Sequence, residues 1–463
     1  MTVPYRDTTA LFEGVLPEDR ILAGDAHDEY THDETLGATP VVPIAVLLPE
    51  TASEVAAILR VCDEHRIAVT ARGSGTGLAG AAIPSADGVV VSFERMKRME
   101  IDTDNQVAIV EPGVTLAELD ELTAKHELMY PVYPGEYSAS LGGNVATNAG
   151  GMRAVKYGVT RHQVLGLEAV LPGGEIIRTG GRFVKGSTGY DLTQLIVGSE
   201  GTLALVTEAI LKLYPRAAHQ ATVLAPFTTL DGVMHAVPRV VGSGIGPLIL
   251  EYIDSGTLGA MVREFGLELG VPDDVRNATK AYAVVMMENR NEARLEEDVH
   301  ELALLLSELG AIDVYVLPLA SGQRLIEARE KAFWIAKGAG ADDIIDIVVP
   351  RASISEYMAQ VGDIAKESGA FIAGCGHAGD GNIHLSVYKP DPEERSKVLH
   401  SLFDAGMALG GVISGEHGIG TTKRKYFLEL EDPVKVDLMR RIKAAFDPNG
   451  TLNPGTLLDV PTA

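Results

Sequence analysis

The stretch from residue 71 to residue 215 limits most strongly what this chain can fold into. It holds three glycine-rich segments, ARGSGTGLAGAA (71–82), PGEYSASLGGNVATNAGGMRAVKYG (134–158) and GSTGYDLTQLIVGSEGTLALVTEAILKLYP (186–215), set between short apolar runs. Glycine lets a backbone take positive φ and come close to a ligand. Any one of these segments alone reads as a glycine-rich turn. Three in one part of the chain favour a large, extended, phosphate-bearing cofactor threaded along backbone N–H groups.

The first segment contains a GxGxxG pattern in Gly75, Gly77 and Gly80, after the strand IAVTA, with Glu94 where a ribose-binding acid would stand. A dinucleotide fingerprint needs a helix to open there. Here AAIPSADG follows, with a proline and turn residues, and then the strand VVVSF. The pattern therefore reads as a loop of N–H donors with no helix dipole behind it. VLGLEAVLPGGEIIRTG reads as two strands around a Pro-Gly-Gly turn. Ahead of this region, residues 1–39 read as an acidic, helical lead-in. VVPIAVLLP then reads as a strand, and Thr51-Ala-Ser-Glu54 as a capping box opening a helix with Val55, Ile58, Leu59 and Cys62 on its apolar face.

Near residue 216 the texture changes to strand–helix–strand units. One of their helices carries Leu295, Val299, Leu302, Leu306 and Leu309 and stops at Gly310. These units predict an antiparallel sheet with helices on one face, in a separate domain. That domain contains FIAGCGHAGDGNIHLSVY, a hairpin in which His377 faces Asn382 across the loop 378–381 and lies diagonal to His384. Two histidines around a turn are more often structural than metal-binding. Glu416 and His417 follow in a second glycine-rich turn, SGEHGIG. Two imidazoles and a carboxylate suit Zn²⁺ or another borderline divalent ion with a position open for substrate, so both readings stand at this point.

Composition narrows the class. With 39 Lys+Arg against 64 Asp+Glu in 463 residues, the net charge of −25 argues against nucleic acid and anionic membrane surfaces. Two cysteines, Cys62 and Cys375, allow no disulfide framework and no cysteine-ligated iron–sulfur cluster. No secretion signal or spanning apolar run is read, which makes the cytoplasm the expected location.

The motifs ARGSGTGLAG, PGEYSASLGGNVATNAGG, KGSTGYDLTQLIVGSEGTLALVTE, GCGHAGDGNIH, SGEHGIG and AFDPNGTLNPG resemble those of the FAD-linked oxidoreductases of the vanillyl-alcohol-oxidase/p-cresol-methylhydroxylase type. Within them the chain is similar to the branch of glycolate oxidase catalytic subunits, D-lactate dehydrogenases and D-2-hydroxyglutarate dehydrogenases. The resemblance implies an α+β fold: a lead-in (1–39), a two-subdomain FAD-binding domain of the p-cresol-methylhydroxylase (PCMH) type (40–216), an antiparallel-sheet cap (217–405) and a C-terminal segment returning to the FAD domain (406–463). It assigns Arg72, Gly73, Ser74, Gly75, Thr76 and Gly77 to the FAD pyrophosphate. Around the flavin and its phosphates it places Pro134, Gly135, Ser140, Gly143, Asn144, Thr147, Gly150 and Gly151, with Glu200, Gly201, Ile210 and Asn453 as further FAD contacts. His377, His384 and Glu416 match metal ligands and His417 a catalytic base. Arg329 matches a residue that holds the substrate carboxylate, and Asn382 one that lines the same pocket.

Two departures shape the expected activity. The first glycine loop has Thr76 and no histidine or cysteine, which implies non-covalent FAD. The strand DIIDIVV has Asp346 but lacks the lysine with which hydroxyglutarate-specific relatives hold a distal carboxylate; Arg351 is another candidate for that role. The expectation is oxidation of a small D-2-hydroxy acid, D-lactate or glycolate, to the 2-oxo acid, with hydride passing from C2 to flavin N5. The alternatives are a D-2-hydroxyglutarate dehydrogenase or an FAD alcohol or amino-acid oxidase on the same fold. Electrons would leave to a quinone, an electron-transfer flavoprotein, a cytochrome or an iron–sulfur subunit, which allows peripheral attachment at the inner membrane. A homodimer is compatible with all of these.

Overall fold

The computed structural model describes residues 9–23, 25 and 28–458. Its first sheet runs β1 (Ile21–Ala23), β2 (Ala45–Leu47), β3 (Ala68–Arg72) and β4 (Gly88–Ser92) in the order β1-β2-β4-β3. β2, β4 and β3 are parallel, and β1 is an antiparallel edge. The helix Ala52–His65 covers one face with Val55, Ile58, Leu59 and Cys62. Thr51 Oγ1 accepts the Glu54 N–H at 3.2 Å, but the Glu54 carboxylate turns to Arg20, so only half of the expected capping box forms. The lead-in differs from its helical expectation. Residues 1–8, 24, 26 and 27 lie outside the described residues; of the others, Thr9 and Ala10 are helical and the remainder forms short turns and β1, whose backbone is satisfied by pairing with β2. No helix follows β3. The chain loops from Gly73 directly to the adjacent parallel strand β4.

The second sheet comprises β5 (Met99–Asp102), β6 (Val107–Val110), β8 (Val164–Val170), β9 (Ile176–Gly180) and β10 (Leu205–Lys212), all antiparallel in the order β5-β6-β10-β8-β9. A ribbon of β7 (Leu128–Met129) and β11 (Tyr214–Pro215) flanks it. Pro172, Gly173 and Gly174 turn β8 into β9, as expected.

The cap is one antiparallel sheet of seven strands: β12 (His219–Phe227), β13 (Ile249–Asp254), β14 (Ala281–Asn289), β15 (Tyr315–Leu317), β16 (Asp343–Val348), β17 (Phe371–Gly376) and β18 (Asn382–Tyr388), ordered β15-β12-β14-β13-β17-β18-β16. Four long helices, Leu230–Gly242, Glu292–Glu308, Ile354–Ser368 and Pro392–Ala408, bury one face through Val223, Val285, Ile347 and Leu385. Helices are not confined to that face. The opposite face also carries apolar side chains, Leu224, Ile253, Val284 and Cys375. It is closed by the helices Ser255–Phe265 and Leu319–Glu330 and by side chains of the N-terminal half. Alternation along β16 and β18 turns Asp346, Asn382 and His384 toward this second face, because Ile345, Ile347, Ile383 and Leu385 point to the first. The chain end returns to the first sheet, where Asn453 N–H donates to Val69 O at 2.7 Å. No helix among the described residues is long and apolar enough to cross a membrane.

Candidate active site

The N-terminal half builds a cavity of about 180 Å³ from backbone. Gly73, Ser74, Gly75, Thr76 and Gly77 line one side, and Ser140, Gly143, Asn144, Thr147, Glu200 and Gly201 the other. The glycines are required by space. A Cβ on Gly73 would lie 1.8 Å from Ser140 Oγ. Gly75 has φ +73°, and a Cβ there would fall on the Arg72 guanidinium. Arg72 itself does not line this cavity. It lies beneath the loop, donating to His32 O at 2.6 Å. The Asn144 side-chain nitrogen is buried here without a hydrogen-bond partner, as a site for a ligand rich in acceptors requires. These residues fit the phosphate-bearing part of FAD.

Other sequence candidates are placed differently. Asn453 donates to Ala81 O and Glu200 O, both at 2.9 Å, and so ties two loops together. Ile210 sits within β10, opposite Ile109 and Gly166, and lines none of the cavities described here. Gly150 and Gly151 act by making room: a Cβ on Gly150 would lie 2.7 Å from Glu416 Oε2, and one on Gly151 would strike Tyr133 O.

The cap brings its own set together. The hairpin register pairs Cys375 with His384, and Asn382 N–H donates to His377 O, so both histidines and Asn382 share the face expected from spacing. His377 Nε2 lies 3.2 Å and His384 Nε2 3.0 Å from Glu416 Oε1. Nitrogen and oxygen ligands about 2.1 Å from a tetrahedral ion stand roughly 3.4 Å apart, so three such atoms fit one ion. Glu416 Oε2 is buried with no hydrogen-bond partner. Asn382 does not line the chamber beside this cluster; its Oδ1 lies 2.7 Å from His384 Nε2, and its amide nitrogen donates to Ile347 O.

Two carboxylates that the motifs did not single out hold the cluster in place. Glu251 on β13 meets His377 Nδ1 at 2.7 Å and Arg329 Nη2 at 2.8 Å. Asp346 on β16 accepts the N–H groups of Gly415, Glu416 and His417 at 2.9, 2.7 and 2.9 Å, the Ser414 hydroxyl, and the Lys423 ammonium. The turn that carries Glu416 and His417 is thus wrapped around one buried carboxylate, with His417 Nδ1 3.5 Å from it. A charged residue inside the apolar runs LILEYID and DIIDIVV was the available signal, since buried charge demands a partner.

Electrostatics follow from this geometry. Burial disfavours a charged His377, but the carboxylates of Glu251 and Glu416 outweigh it and raise its pKa to about 10. Burial likewise opposes ionised Glu416, and His377 and His384 still hold it well below the usual carboxylate range. Burial lowers His417 to about 4, more than neighbouring Asp346 restores, leaving a neutral imidazole at physiological pH. The chamber next to the cluster has a volume of about 530 Å³ and is reached by Arg329, His377, His384, Glu416 and His417. Leu78, Pro134, Glu416 and His417 line both this chamber and the N-terminal cavity, so the two spaces meet at the glutamate–histidine pair.

Comparison with known proteins agrees with this architecture. Residues 43–180 match a family model for an FAD binding domain, and residues 216–457 one for the C-terminal domain of FAD linked oxidases. The chain is 56% identical over 453 residues to an uncharacterized FAD-linked oxidoreductase of Mycobacterium tuberculosis, covering 97% of this chain and 99% of the relative. It is 39% identical over 439 residues to a D-lactate dehydrogenase of Archaeoglobus fulgidus, covering 93% and 96%. Among solved structures, the 4-ethylphenol oxidase of Gulosibacter chungangensis superposes with a TM-score of 0.80 at 18% identity, over 98% of this chain and 97% of that one.

Proposed function

For a chain that belongs to the FAD-linked oxidase family, and is thereby an FAD-dependent oxidoreductase, we propose oxidation of a D-2-hydroxy acid with one carboxylate to its 2-oxo acid. The observation that carries the reading is the shared wall: Glu416 and His417 line both the FAD-side cavity and the cap chamber. The D configuration and the hydroxy-acid class are taken from relatives such as the archaeal D-lactate dehydrogenase.

Bound FAD supplies the hydride acceptor, and a divalent ion on His377, His384 and Glu416 supplies a Lewis acid that lowers the pKa of a substrate hydroxyl. The chain's own groups do the rest. Arg329, buried and with an unpartnered Nε, offers a planar cation that orients the α-carboxylate and with it C2. Neutral His417 takes the hydroxyl proton, held in position by the Asp346 turn. Glu251 orients both His377 and Arg329, coupling the metal ligand to the substrate clamp. Thr76 in the glycine loop offers no attachment atom comparable to histidine or cysteine, so FAD is held without a covalent bond. With Cys62 and Cys375 both buried and free, electrons leave to an external acceptor. The dicarboxylate alternative lacks support in the chamber. Among the described residues its wall carries no lysine, and Arg351 is exposed outside it.

The test is anaerobic bleaching of the bound flavin by paired D- and L-2-hydroxy acids. Bleaching by the D member at tenfold or greater excess in rate is expected. Bleaching by simple alcohols or amines in place of 2-hydroxy acids would reject the reading.

A further inference from the structure

The cap sheet is not continuous above the candidate site. β13 pairs with β17 only at Tyr252–Gly376 and Ile253–Cys375, while β17 runs on to Phe371. The cause is local. Asp254 ends β13 and caps the helix Ser255–Phe265 by accepting the Thr257 N–H at 2.8 Å, which turns the chain out of the sheet. Its other carboxylate oxygen accepts the Gly374 N–H at 2.8 Å and pins the edge of the gap. The chamber of about 530 Å³ opens into this gap from the histidine cluster.

The walls of the gap have two characters. Ala260, Ala332, Ala336, Ala339, Ala373 and Gly374 are small and keep it wide. Ile335, Ile344, Met358, Phe371, Ile372 and Leu385 make its surface apolar. Among the described residues Arg329 is the only lysine or arginine in the wall, it stands at the cluster end, and it already faces Glu251. Away from the cluster the wall's carboxyl groups are Asp254 and Glu330, the latter accepting the Tyr133 hydroxyl at 2.7 Å, and the wall also holds the Tyr252 and Tyr388 hydroxyls and the Cys375 thiol. The end at Leu78, Pro134 and Met152 belongs to the N-terminal half and is left to the flavin. The cap-lined remainder is mostly apolar, with Thr257, Ser386 and the Tyr252 and Tyr388 hydroxyls as its uncharged polar groups, and a second carboxylate would meet Asp254 and Glu330 there without a lysine or arginine.

We propose that the substrate carries a large apolar side chain, of about four to eight carbons, that fills the gap between β13 and β17. This rests on the 2-hydroxy acid reading above and names the substrate class within it. A three-carbon acid would engage Arg329 and the histidines and leave the gap vacant, whereas a longer chain gains contact with each carbon it places there. Burying a methylene favours binding by roughly three- to fourfold.

The experiment measures kcat/KM of the FAD-loaded enzyme with a dye acceptor for D-lactate, D-2-hydroxybutyrate, D-2-hydroxyhexanoate, D-3-phenyllactate and D-2-hydroxyglutarate. D-2-hydroxyhexanoate is expected to exceed D-lactate by roughly thirtyfold or more, with D-2-hydroxyglutarate far below it. In Ala336→Phe, which fills the gap, the hexanoate-to-lactate ratio should fall at least tenfold. A flat series, or D-lactate as the best substrate, overturns the proposal and leaves the 2-hydroxy acid reading standing. Turnover of none of the five acids overturns both. An unchanged ratio in a folded, FAD-loaded Ala336→Phe also counts against the gap, and should that variant not fold, the wild-type series decides alone.

Discussion

The loop Gly73–Gly77 and the short helix Leu141–Thr147, capped by Ser140, line their cavity with backbone and small polar side chains, whereas the cap side presents the ionisable side chains of His377, His384, Glu416 and His417. The first arrangement works by leaving atoms out. Where Ser140 Oγ would lie 1.8 Å from a Cβ on Gly73, only glycine closes the wall. The second works by burying charge, with Glu251 and Asp346 both fully buried and each compensated by cations or N–H donors from distant elements. The difference predicts two kinds of failure. Damage to the backbone cradle should release FAD, and damage to the side-chain cage should stop chemistry with FAD still bound.

The largest effect should come from Asp346→Asn. It removes the charge that Lys423 and three N–H groups surround, and breaking a buried pair costs about 3–5 kcal/mol. Urea denaturation should report that loss. Flavin reduction should slow by at least the amount lost with His417 alone, because Glu416 and His417 lose their common anchor, while FAD content stays near one per chain. Loss of FAD instead would erase the distinction between the two regions. His417→Asn comes next. Loss of a positioned base typically costs on the order of 10²–10⁴ in rate, so anaerobic stopped-flow should show that slowing with metal and FAD content unchanged. Gly73→Ala should act the other way and least. Overpacking costs about 1–3 kcal/mol, which appears as FAD affinity weakened roughly 5- to 150-fold. The flavin-loaded fraction should be reduced by substrate at the normal rate. A slowed rate in that fraction would show that the cradle also shapes the chemistry.

The same contrast explains what could be read from the chain. The glycine loops and the hairpin register are local, each encoded within about two dozen consecutive residues, and a period of two places His377, Asn382 and His384 on one face without knowledge of the rest. Glu251 and His377 are 126 residues apart, and Asp346 and Lys423 are 77 apart. A lone acid in an apolar strand announces that a partner is needed but not which one. Arg329 reads as an ordinary helix residue; only the family resemblance marked it, and it is the fold that sets it against Glu251. Asn382 was placed on the correct face, yet its amide is occupied by His384 and Ile347 O and does not face the chamber. Of the helical reading of the lead-in, the described residues show only Thr9 and Ala10 and two single 3-10 turns, and Ile21–Ala23 instead pair with β2. The lysine missing from DIIDIVV has a counterpart elsewhere: Lys423, from the TTKRK segment, neutralises the acid of that strand and does not enter the chamber.

The central claim is that a metal-centred cage in the cap works on a cofactor held separately by backbone. The most direct measurement treats the purified yellow enzyme with a chelator, then records metal content, bound flavin and anaerobic reduction by a D-2-hydroxy acid in one sample. The account predicts that flavin stays bound, that reduction stops with the metal below a tenth of an equivalent, and that a divalent ion restores it. Full-rate flavin reduction in the metal-free sample, or loss of FAD together with the metal, would contradict it.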